Sequence, residues 1–186
     1  MKIAILALQG AFAEHQQMLR RLQVDSFLIR NADDWNQRKE GLIIPGGEST
    51  AMLKIMKDEG LFAPIQTALR GGLPVFGTCA GLIMLDHEHL GTMDIEAKRN
   101  AYGRQLGSFF TIHDFKGIGD IPMTFIRAPY IEQAGPEVEI LSRLDGRIIA
   151  AKQENQLVCA FHPELSDDTR VHEWFVQICQ SRQAEG

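Results

Sequence analysis

Uninterrupted apolar runs alternate with amphipathic stretches through the first half of the chain. Runs of strand length cover Lys2 to Leu8, Ser26 to Ile29 and Gly41 to Ile44. Continuous runs of this kind are typical of strands that are buried on both faces. Between the first two runs, Phe12 to Leu22 carries apolar residues at a helical spacing. The alternation predicts a parallel sheet with helices on both faces.

A strand-ending loop follows the third apolar run. Its sequence is Pro45-Gly46-Gly47-Glu48-Ser49-Thr50, in which a proline and two glycines break the strand. Ser49 or Thr50 is a candidate cap for the helix that follows. The next apolar strand ends at Cys79. Because ligands bind outside the carboxyl ends of strands in open α/β sheets, we expect the Gly46-Gly47 loop and Cys79 to be neighbours.

Beyond Asp86 the apolar runs shorten and are separated by turns, which predicts antiparallel or mixed strands added to the same sheet. These runs are Ser108 to His113, Met123 to Ile126, Val138 to Leu141, Arg147 to Ala151 and Leu157 to Phe161. A last helix is predicted from about Ser166 to Gln180, with Asp167 and Asp168 in its first turn. The predicted fold is α/β, a single domain over residues 1–186 built on an open, mixed, mostly parallel sheet.

Composition narrows the class of protein. The chain has 186 residues, 45% of them hydrophobic, which is enough for one sizeable core. Its formal charge of -5 comes without a basic run, so we expect no nucleic-acid partner. No apolar stretch approaches the roughly 20 residues that span a bilayer, and no membrane association is expected. Three cysteines without a Cys-x-x-Cys pair favour a reducing compartment, by default the cytoplasm.

Cys79 is the candidate nucleophile, within Gly77-Thr78-Cys79-Ala80-Gly81. Glycines two residues before and after the cysteine permit the sharp strand-to-helix bend of a nucleophile elbow. At such a bend the first N–H groups of the helix, and its dipole, favour a negatively charged sulfur. The alternative is that Cys79 is a small buried apolar residue, as free cysteines commonly are.

A cysteine nucleophile needs a base, and the base needs an orienting partner. His162-Pro163-Glu164 closes the last predicted strand. In an extended backbone, residues two apart point to the same side, so the Glu164 carboxylate would reach the His162 ring and fix its tautomer. The alternative is a strand-ending turn with His162 on the surface. In combination with Cys79, the motif favours a Cys-His-Glu triad.

These motifs together resemble the class I, triad-type glutamine amidotransferases, over essentially the whole chain. Several segments resemble more narrowly the glutaminase subunits of pyridoxal 5'-phosphate synthase complexes. They are Leu8-Gln9-Gly10, Pro45-Gly46-Gly47-Glu48-Ser49-Thr50, Arg99-Asn100-Ala101-Tyr102-Gly103-Arg104-Gln105, Phe125-Ile126-Arg127-Ala128-Pro129 and Phe161-His162-Pro163-Glu164-Leu165. The resemblance implies a flavodoxin-like fold, hydrolysis of the side-chain amide of L-glutamine, no cofactor, and transfer of ammonia to a barrel-shaped synthase subunit.

The resemblance also assigns roles to residues. It makes Cys79 the nucleophile, His162 the base and Glu164 its acidic partner. It assigns glutamine binding to Gly46, Gly47, Glu48, Ser49, Arg99, Ile126 and Arg127. Backbone N–H groups of Gly47 and Ala80 would form the oxyanion hole. Because glycine tolerates either sign of φ, we hypothesise that the partner subunit controls a flip of the peptide at Gly47.

Two other interpretations stay open. One is a cysteine hydrolase or glutaminase of another pathway on the same fold. The other is a non-enzymatic thiol sensor in which Cys79 is oxidised, although a sensor has no need of His162 and Glu164 at this spacing. His87-Glu88-His89 matches no zinc framework, so no metal is expected. Cys159 and Cys179 are expected in the core.

Overall fold

Strands and helices alternate through the first 85 residues, and strands dominate the rest. The structure, a computed structural model, describes residues 1–99 and 108–185. Its strands are β1 (Lys2–Leu6), β2 (Asp25–Ile29), β3 (Gly41–Ile44), β4 (Val75–Thr78), β5 (Ile95–Lys98), β6 (Ser108–Phe115), β7 (Gly119–Ile126), β8 (Tyr130–Ala134), β9 (Glu139–Leu144), β10 (Arg147–Gln153) and β11 (Gln156–Cys159). Its α-helices are α1 (Phe12–Arg21), α2 (Ala32–Trp35), α3 (Ser49–Asp58), α4 (Phe62–Arg70), α5 (Ala80–Met84) and α6 (Arg170–Glu185), and a 3-10 helix spans Pro163–Leu165.

Nine of the strands within these ranges form one open sheet in the order β2-β1-β3-β4-β11-β10-β8-β5, with β9 also paired to β10. The first five strands of this order run parallel to one another, and every pairing beyond β11 is antiparallel. A parallel block that begins 2-1-3-4 has the flavodoxin-like order. The predicted open, mixed sheet is therefore confirmed.

Phe76 and Gly77 of β4 show how helices cover both faces. The Phe76 ring packs against His172 and Phe175 of α6, with ring centroids 5.4 and 5.6 Å away. It also meets His15 of α1 edge-on at 6.1 Å. Successive strand residues point to opposite faces, and a Cβ at Gly77 would meet the backbone of α5. Helices α1 and α6 therefore cover one face, and α5 covers the other.

The hairpin β6–β7 departs from the predicted fold. The pattern predicts that these strands extend the main sheet, but within residues 1–99 and 108–185 they pair only with each other. Met123 and Phe125 are buried against the core, whereas Phe110 and Ile112 are exposed. Alternation identifies a strand with one buried face, but it does not identify the strand it pairs with. The prediction that these two strands join the main sheet was wrong for this reason.

The last helix also begins later than predicted. Helix α6 starts at Arg170, because the chain first makes the 3-10 turn and then an extended residue, Ser166 (φ -115°, ψ 170°). Asp167 and Asp168 therefore precede the helix. The Asp168 carboxylate accepts the Arg170 backbone N–H at 3.0 Å, so it acts before the first turn rather than within it.

The pattern of apolar residues does not predict three short elements, which are α2, β5 and β8. Helix α2 is a single turn in the polar stretch between β2 and β3, and the side chain of Asn31 accepts the Asp34 N–H at 2.9 Å to cap it. Strands β5 and β8 pair with each other and carry charged residues rather than an apolar run.

In the described ranges, no helix combines the length and apolar character that crossing a bilayer requires.

Candidate active site

Cys79 occupies a strained turn between β4 and α5. Its backbone has φ 52° and ψ -110°, a conformation that costs about 1–3 kcal/mol in a non-glycine residue. The Cys79 N–H donates to the carbonyl of Cys159 at 2.9 Å, which ties the turn to the end of β11. A Cβ at Gly81 would lie 2.0 Å from the carbonyl oxygen of Ile44. This close backbone approach explains why glycine follows the nucleophile by two residues.

The loop after β3 lies directly against this turn. A Cβ built on Gly46 would come within 3.2 Å of the Cys79 Cβ and 2.7 Å of His162 Cε1. A Cβ at Gly10 would lie 1.7 Å from the carbonyl oxygen of Gly46. The predicted proximity of the Gly46-Gly47 loop and Cys79 is thus present, and residues without side chains make it possible.

Glu48, rather than Ser49 or Thr50, caps α3. Its carboxylate accepts the backbone N–H groups of Thr50 at 3.1 Å and Ala51 at 2.6 Å. Those hydrogen bonds lower the pKa of Glu48. Ser49 is instead the first helical residue and is buried. The predicted cap was wrong because a glutamate in this turn reaches the same free N–H groups that a serine or threonine would.

His162 and Glu164 follow β11, the strand beside β4. His162 Nδ1 lies 2.6 Å from Glu164 Oε1, and both side chains are buried. The two side chains meet, but not through the extended backbone that the pattern suggests. Pro163–Leu165 is a 3-10 helix, and Pro163 suits its first position because its φ is fixed. The tight turn, not a strand pleat, brings the carboxylate to the ring.

The charge state of His162 follows from its two neighbours. Burial by itself lowers the pKa of His162, but hydrogen bonds to Cys79 and Glu164, and their charges, outweigh it and raise the pKa to about 10. The ring is therefore an imidazolium at neutral pH. Since Nδ1 is engaged by Glu164, Nε2 is the nitrogen left to face the sulfur. A sulfur, an imidazole and a carboxylate thus form one chain of contacts.

A cleft of about 460 Å³ opens over Cys79. Its lining consists of Gly47, Glu48, Ser49, Cys79, Ala80, Ile83, Arg99, Arg127 and Pro129. Of the residues that the resemblance assigns to glutamine, Gly46 lies behind this lining, against His162. The Ile126 side chain is exposed, and its backbone carbonyl lies 3.8 Å from Cys79 Sγ. A cleft of this size accommodates a free amino acid.

Two arginines stand at the cleft. Arg99 Nη1 donates to Thr50 Oγ1 at 3.0 Å and lies 3.9 Å from Glu48 Oε1. Arg127 is exposed and takes φ 46°. A guanidinium presents five N–H donors, so the Arg99 contact with Thr50 leaves donors for a ligand. Residues 100–105 of the Arg99-to-Gln105 segment lie outside the described ranges.

Some residues at the site were missed by the sequence reasoning. The Gln9 side-chain oxygen accepts the Glu48 N–H at 3.0 Å and so holds the loop after β3. Gln9 and Gly10 follow β1, and the rule that strand ends share one edge gives the signal that could have found them. His15 and His172 lie behind the triad in the core. No motif marks them, because each is a lone histidine on an amphipathic helix.

The other two cysteines lie in the core, as predicted. Burial, and then the nearby charges of Glu164 and Cys79, raise the pKa of Cys159 well above its ordinary value. Burial also raises the pKa of Cys179 to about 12. Both thiols therefore stay protonated and unreactive at neutral pH.

Solved structures with the same fold indicate the class of protein. A crystal structure described as a glutamine amidotransferase superimposes with a TM-score of 0.89 and 35% sequence identity, over 96% of this chain and 98% of that one. A glutamine amidotransferase from Thermotoga maritima shares the fold, with a TM-score of 0.63 at 12% identity over 98% and 85% of the two chains. The fold is that of the glutamine amidotransferases.

Sequence relatives narrow the class further. The chain belongs to the SNO glutamine amidotransferase family, which matches residues 5–181. Relatives from Streptococcus pneumoniae carry the name pyridoxal 5'-phosphate synthase subunit PdxT. Those of strains CGSP14 and JJA are each 54% identical to this chain over 98% of its length, and over 99% and 100% of their own. The family resemblance drawn from the motifs is confirmed.

Proposed function

We propose that this protein hydrolyses the side-chain amide of L-glutamine through a thioester on Cys79 and delivers ammonia to a synthase subunit that makes pyridoxal 5'-phosphate. The observation that carries the proposal is the linked arrangement of Cys79, His162 and Glu164 beside a cleft of amino-acid size. The relatives named as subunits of pyridoxal 5'-phosphate synthase support the choice of pathway.

The triad performs the proton transfers of this reaction. His162 holds the proton of Cys79, and the sulfur attacks the amide carbon of glutamine. The imidazolium then protonates the departing nitrogen as the C–N bond breaks, which releases ammonia and leaves a thioester. Water, deprotonated by His162, cleaves the thioester to give glutamate and the free thiol. Glu164 keeps the ring in the required tautomer throughout.

The negative charge that develops on the amide oxygen needs donors. We assign this role to the backbone N–H groups of Ala80 and Gly47, two residues that line the cleft together with Cys79. Ala80 begins α5, so its N–H belongs to the first turn, where N–H groups lack partners within the helix. Loss of one such donor typically costs about 3 kcal/mol of barrier.

Charged residues at the rim suit the other end of glutamine. The guanidinium groups of Arg99 and Arg127 pair with carboxylates, and free glutamine carries one next to its α-amino group. Glu48 and Ser49 complete this side of the cleft. We assign binding of the glutamine α-carboxylate to the two arginines.

We also propose that residues 1–186 act as one glutaminase domain, since the family match extends over residues 5–181. The unpaired state of Cys79, Cys159 and Cys179 supports a reducing compartment, the cytoplasm. The partner is the synthase subunit of the complex after which the relatives are named.

Glutamate release from glutamine tests the proposal, measured with and without the synthase subunit. We expect release in the complex, and a fall to background in Cys79→Ala. Cys179→Ala is the matched control, because that thiol packs near Gly41 in the core, and it should retain full activity. Activity that survives Cys79→Ala would remove the nucleophile. Hydrolysis of peptides but not of glutamine would support a hydrolase of another pathway.

A further inference from the structure

The Glu164 carboxylate is enclosed on both sides, and the triad uses only one of its oxygens. Oε1 meets His162, whereas Oε2 is buried without a hydrogen-bond partner among residues 1–99 and 108–185. His15 Nε2 lies 3.6 Å from Oε2, and both side chains are fully enclosed. A buried carboxylate oxygen that lacks a donor is costly, so the identity of the group that faces it matters.

His15 is held by residues from two other elements. Its Nδ1 lies 2.8 Å from His172 Nε2 on α6, and its Nε2 lies 3.3 Å from Thr78 Oγ1 at the end of β4. His172 packs its ring edge-on against Phe76. Thr78 immediately precedes the nucleophile. The two histidines therefore connect α1, α6 and β4 directly behind the triad.

Both of these histidines are neutral. Burial lowers the pKa of His15 well below its ordinary value, and the charges that His172 and His162 carry when protonated lower it further. Burial lowers the pKa of His172 to about 3. Two neutral rings share one proton in a hydrogen bond, so one of them is the donor and the other is the acceptor. The direction of this hydrogen bond decides what His15 presents to Glu164.

Only one direction suits the carboxylate. If His15 Nδ1 donated to His172, His15 Nε2 would turn a lone pair toward a negatively charged oxygen. If His172 Nε2 donates instead, His15 Nε2 carries the hydrogen and directs it at Thr78 Oγ1 and Glu164 Oε2. The second arrangement leaves His172 Nδ1 as a bare acceptor, and this atom is indeed buried without a partner in the described part of the chain.

We infer that His15 is a positioning residue for the triad: its Nε2–H, set by donation from His172, presents its positive end to the second oxygen of Glu164 across 3.6 Å, so that the first oxygen stays on His162. The inference rests on the proposed glutaminase function. Within residues 1–99 and 108–185, the titratable groups that face Glu164 are His162 on the cleft side, His15 on the core side and the thiol of Cys159. His15 is fully buried and is not part of the cleft lining over Cys79, so it acts through Glu164.

Two substitutions separate this role from simple packing. His15→Phe keeps a ring of similar size but removes the N–H, and His15→Gln keeps an amide N–H at a similar reach. In the complex with the synthase subunit, we expect His15→Phe to lower kcat at least tenfold while the KM for glutamine stays within twofold. His15→Gln should recover most of kcat. His113→Phe, a histidine change on the hairpin, is the control and should match the wild type.

The pH profile of kcat and the tautomers of His15 and His172 test the positioning role, because a residue that only fills space would affect neither. In His15→Phe, the alkaline limit of kcat should shift to lower pH, because a less firmly held carboxylate supports the His162 cation less well. Nitrogen NMR of the wild-type protein should find both His15 and His172 in the Nε2–H tautomer at neutral pH. This measurement needs no variant, so it decides the matter even where His15→Phe fails to fold.

The possible outcomes are distinct. A wild-type complex that releases no glutamate would overturn the proposed function, and the tautomers would still be measurable. An active wild type with His15 in the Nδ1–H form would overturn the positioning role. So would a folded His15→Phe with unchanged kcat and an unchanged pH profile, or a His15→Gln that is no better than His15→Phe.

Discussion

Histidines lie on both sides of the Glu164 carboxylate, and their pKa values are shifted in opposite directions. On the cleft side, contacts with Cys79 and Glu164 outweigh burial and raise the pKa of His162 to about 10. On the core side, burial lowers the pKa of His172 to about 3 and that of His15 well below its ordinary value. The same side chain is a cation at the cleft and a neutral hydrogen-bonding group in the core.

The distance to Glu164 and the identity of the neighbouring groups explain why the pKa is raised for His162 and lowered for His15. Glu164 meets His162 at 2.6 Å, which is a full hydrogen bond, but lies 3.6 Å from His15 Nε2. His15 also has another histidine at 2.8 Å, and two like charges there would repel. Proton transfer is therefore confined to the cleft side, and the core side can affect catalysis only through position.

The largest expected effect comes from removing the base. His162→Asn keeps a side-chain N–H near the Nδ1 position for Glu164 but has no basic nitrogen. Loss of general acid–base catalysis should lower kcat by about 10²- to 10⁴-fold. Initial rates of glutamate release measure this, and thermal unfolding shows that the fold persists. Retention of more than a tenth of the activity would place the base elsewhere.

Glu164→Gln should have the next largest effect, because it removes the charge shared by both sides. Orientation and support of the imidazolium are lost, and we expect kcat to fall, by less than in His162→Asn. In the wild type, activity should persist through neutral pH. It should fall as the pH rises through about 10, the raised pKa of His162, because the ring then loses the proton that the departing ammonia needs.

The pH dependence of kcat in Glu164→Gln tests whether Glu164 stabilises the His162 cation. Glu164 raises the pKa of His162 through a hydrogen bond and its charge. Without that charge the pKa falls, so the alkaline limit of Glu164→Gln should lie at lower pH than that of the wild type. Profiles of kcat for both proteins in the complex measure the shift. Coincident alkaline limits would mean that Glu164 does not support the cation.

His172→Phe changes the core side alone. It removes the donor to His15 Nδ1 and leaves a buried nitrogen unpaired, which should lower the free energy of unfolding by about 1–3 kcal/mol. Its kcat should fall less than that of His15→Phe, since His15 remains in contact with Glu164. Urea denaturation of His172→Phe and of the wild type measures the difference in stability. A stability equal to that of the wild type would show that the His15–His172 contact contributes nothing.

The smallest expected effect lies at the cleft rim, away from both histidine pairs. Arg99→Ala removes a half-exposed guanidinium, and exposed charge interactions are worth about 1 kcal/mol, so the KM for glutamine should rise by about fivefold. The value of kcat should change little. Lys54→Ala on α3, whose side chain pairs with Asp58, is the surface control. An unchanged KM in Arg99→Ala would assign the substrate carboxylate to other groups.

Much of the parallel half could be predicted from sequence. Its strands are buried on both faces, so the apolar runs mark them directly, as the burial of all four residues of Gly41–Ile44 illustrates. The antiparallel half was harder to predict, because Tyr130–Ala134 and Ile95–Lys98 carry charged residues and face partly outward. The pairing of β6 with β7 alone depends on contacts between distant segments, which no local pattern encodes.

The amino-acid sequence by itself determined the order of strands and helices in the first half, the elbow glycines around Cys79, and a histidine and a glutamate close enough along the chain to pair. These are local properties, set by apolar periodicity and by the space that a missing side chain leaves. Only the tertiary structure decided that His15, which His172 contacts from behind, lies beside Glu164 in the core. Residues more than a hundred positions apart in the chain meet there because α1 and α6 pack on one face of the sheet, and burial then removes their charge.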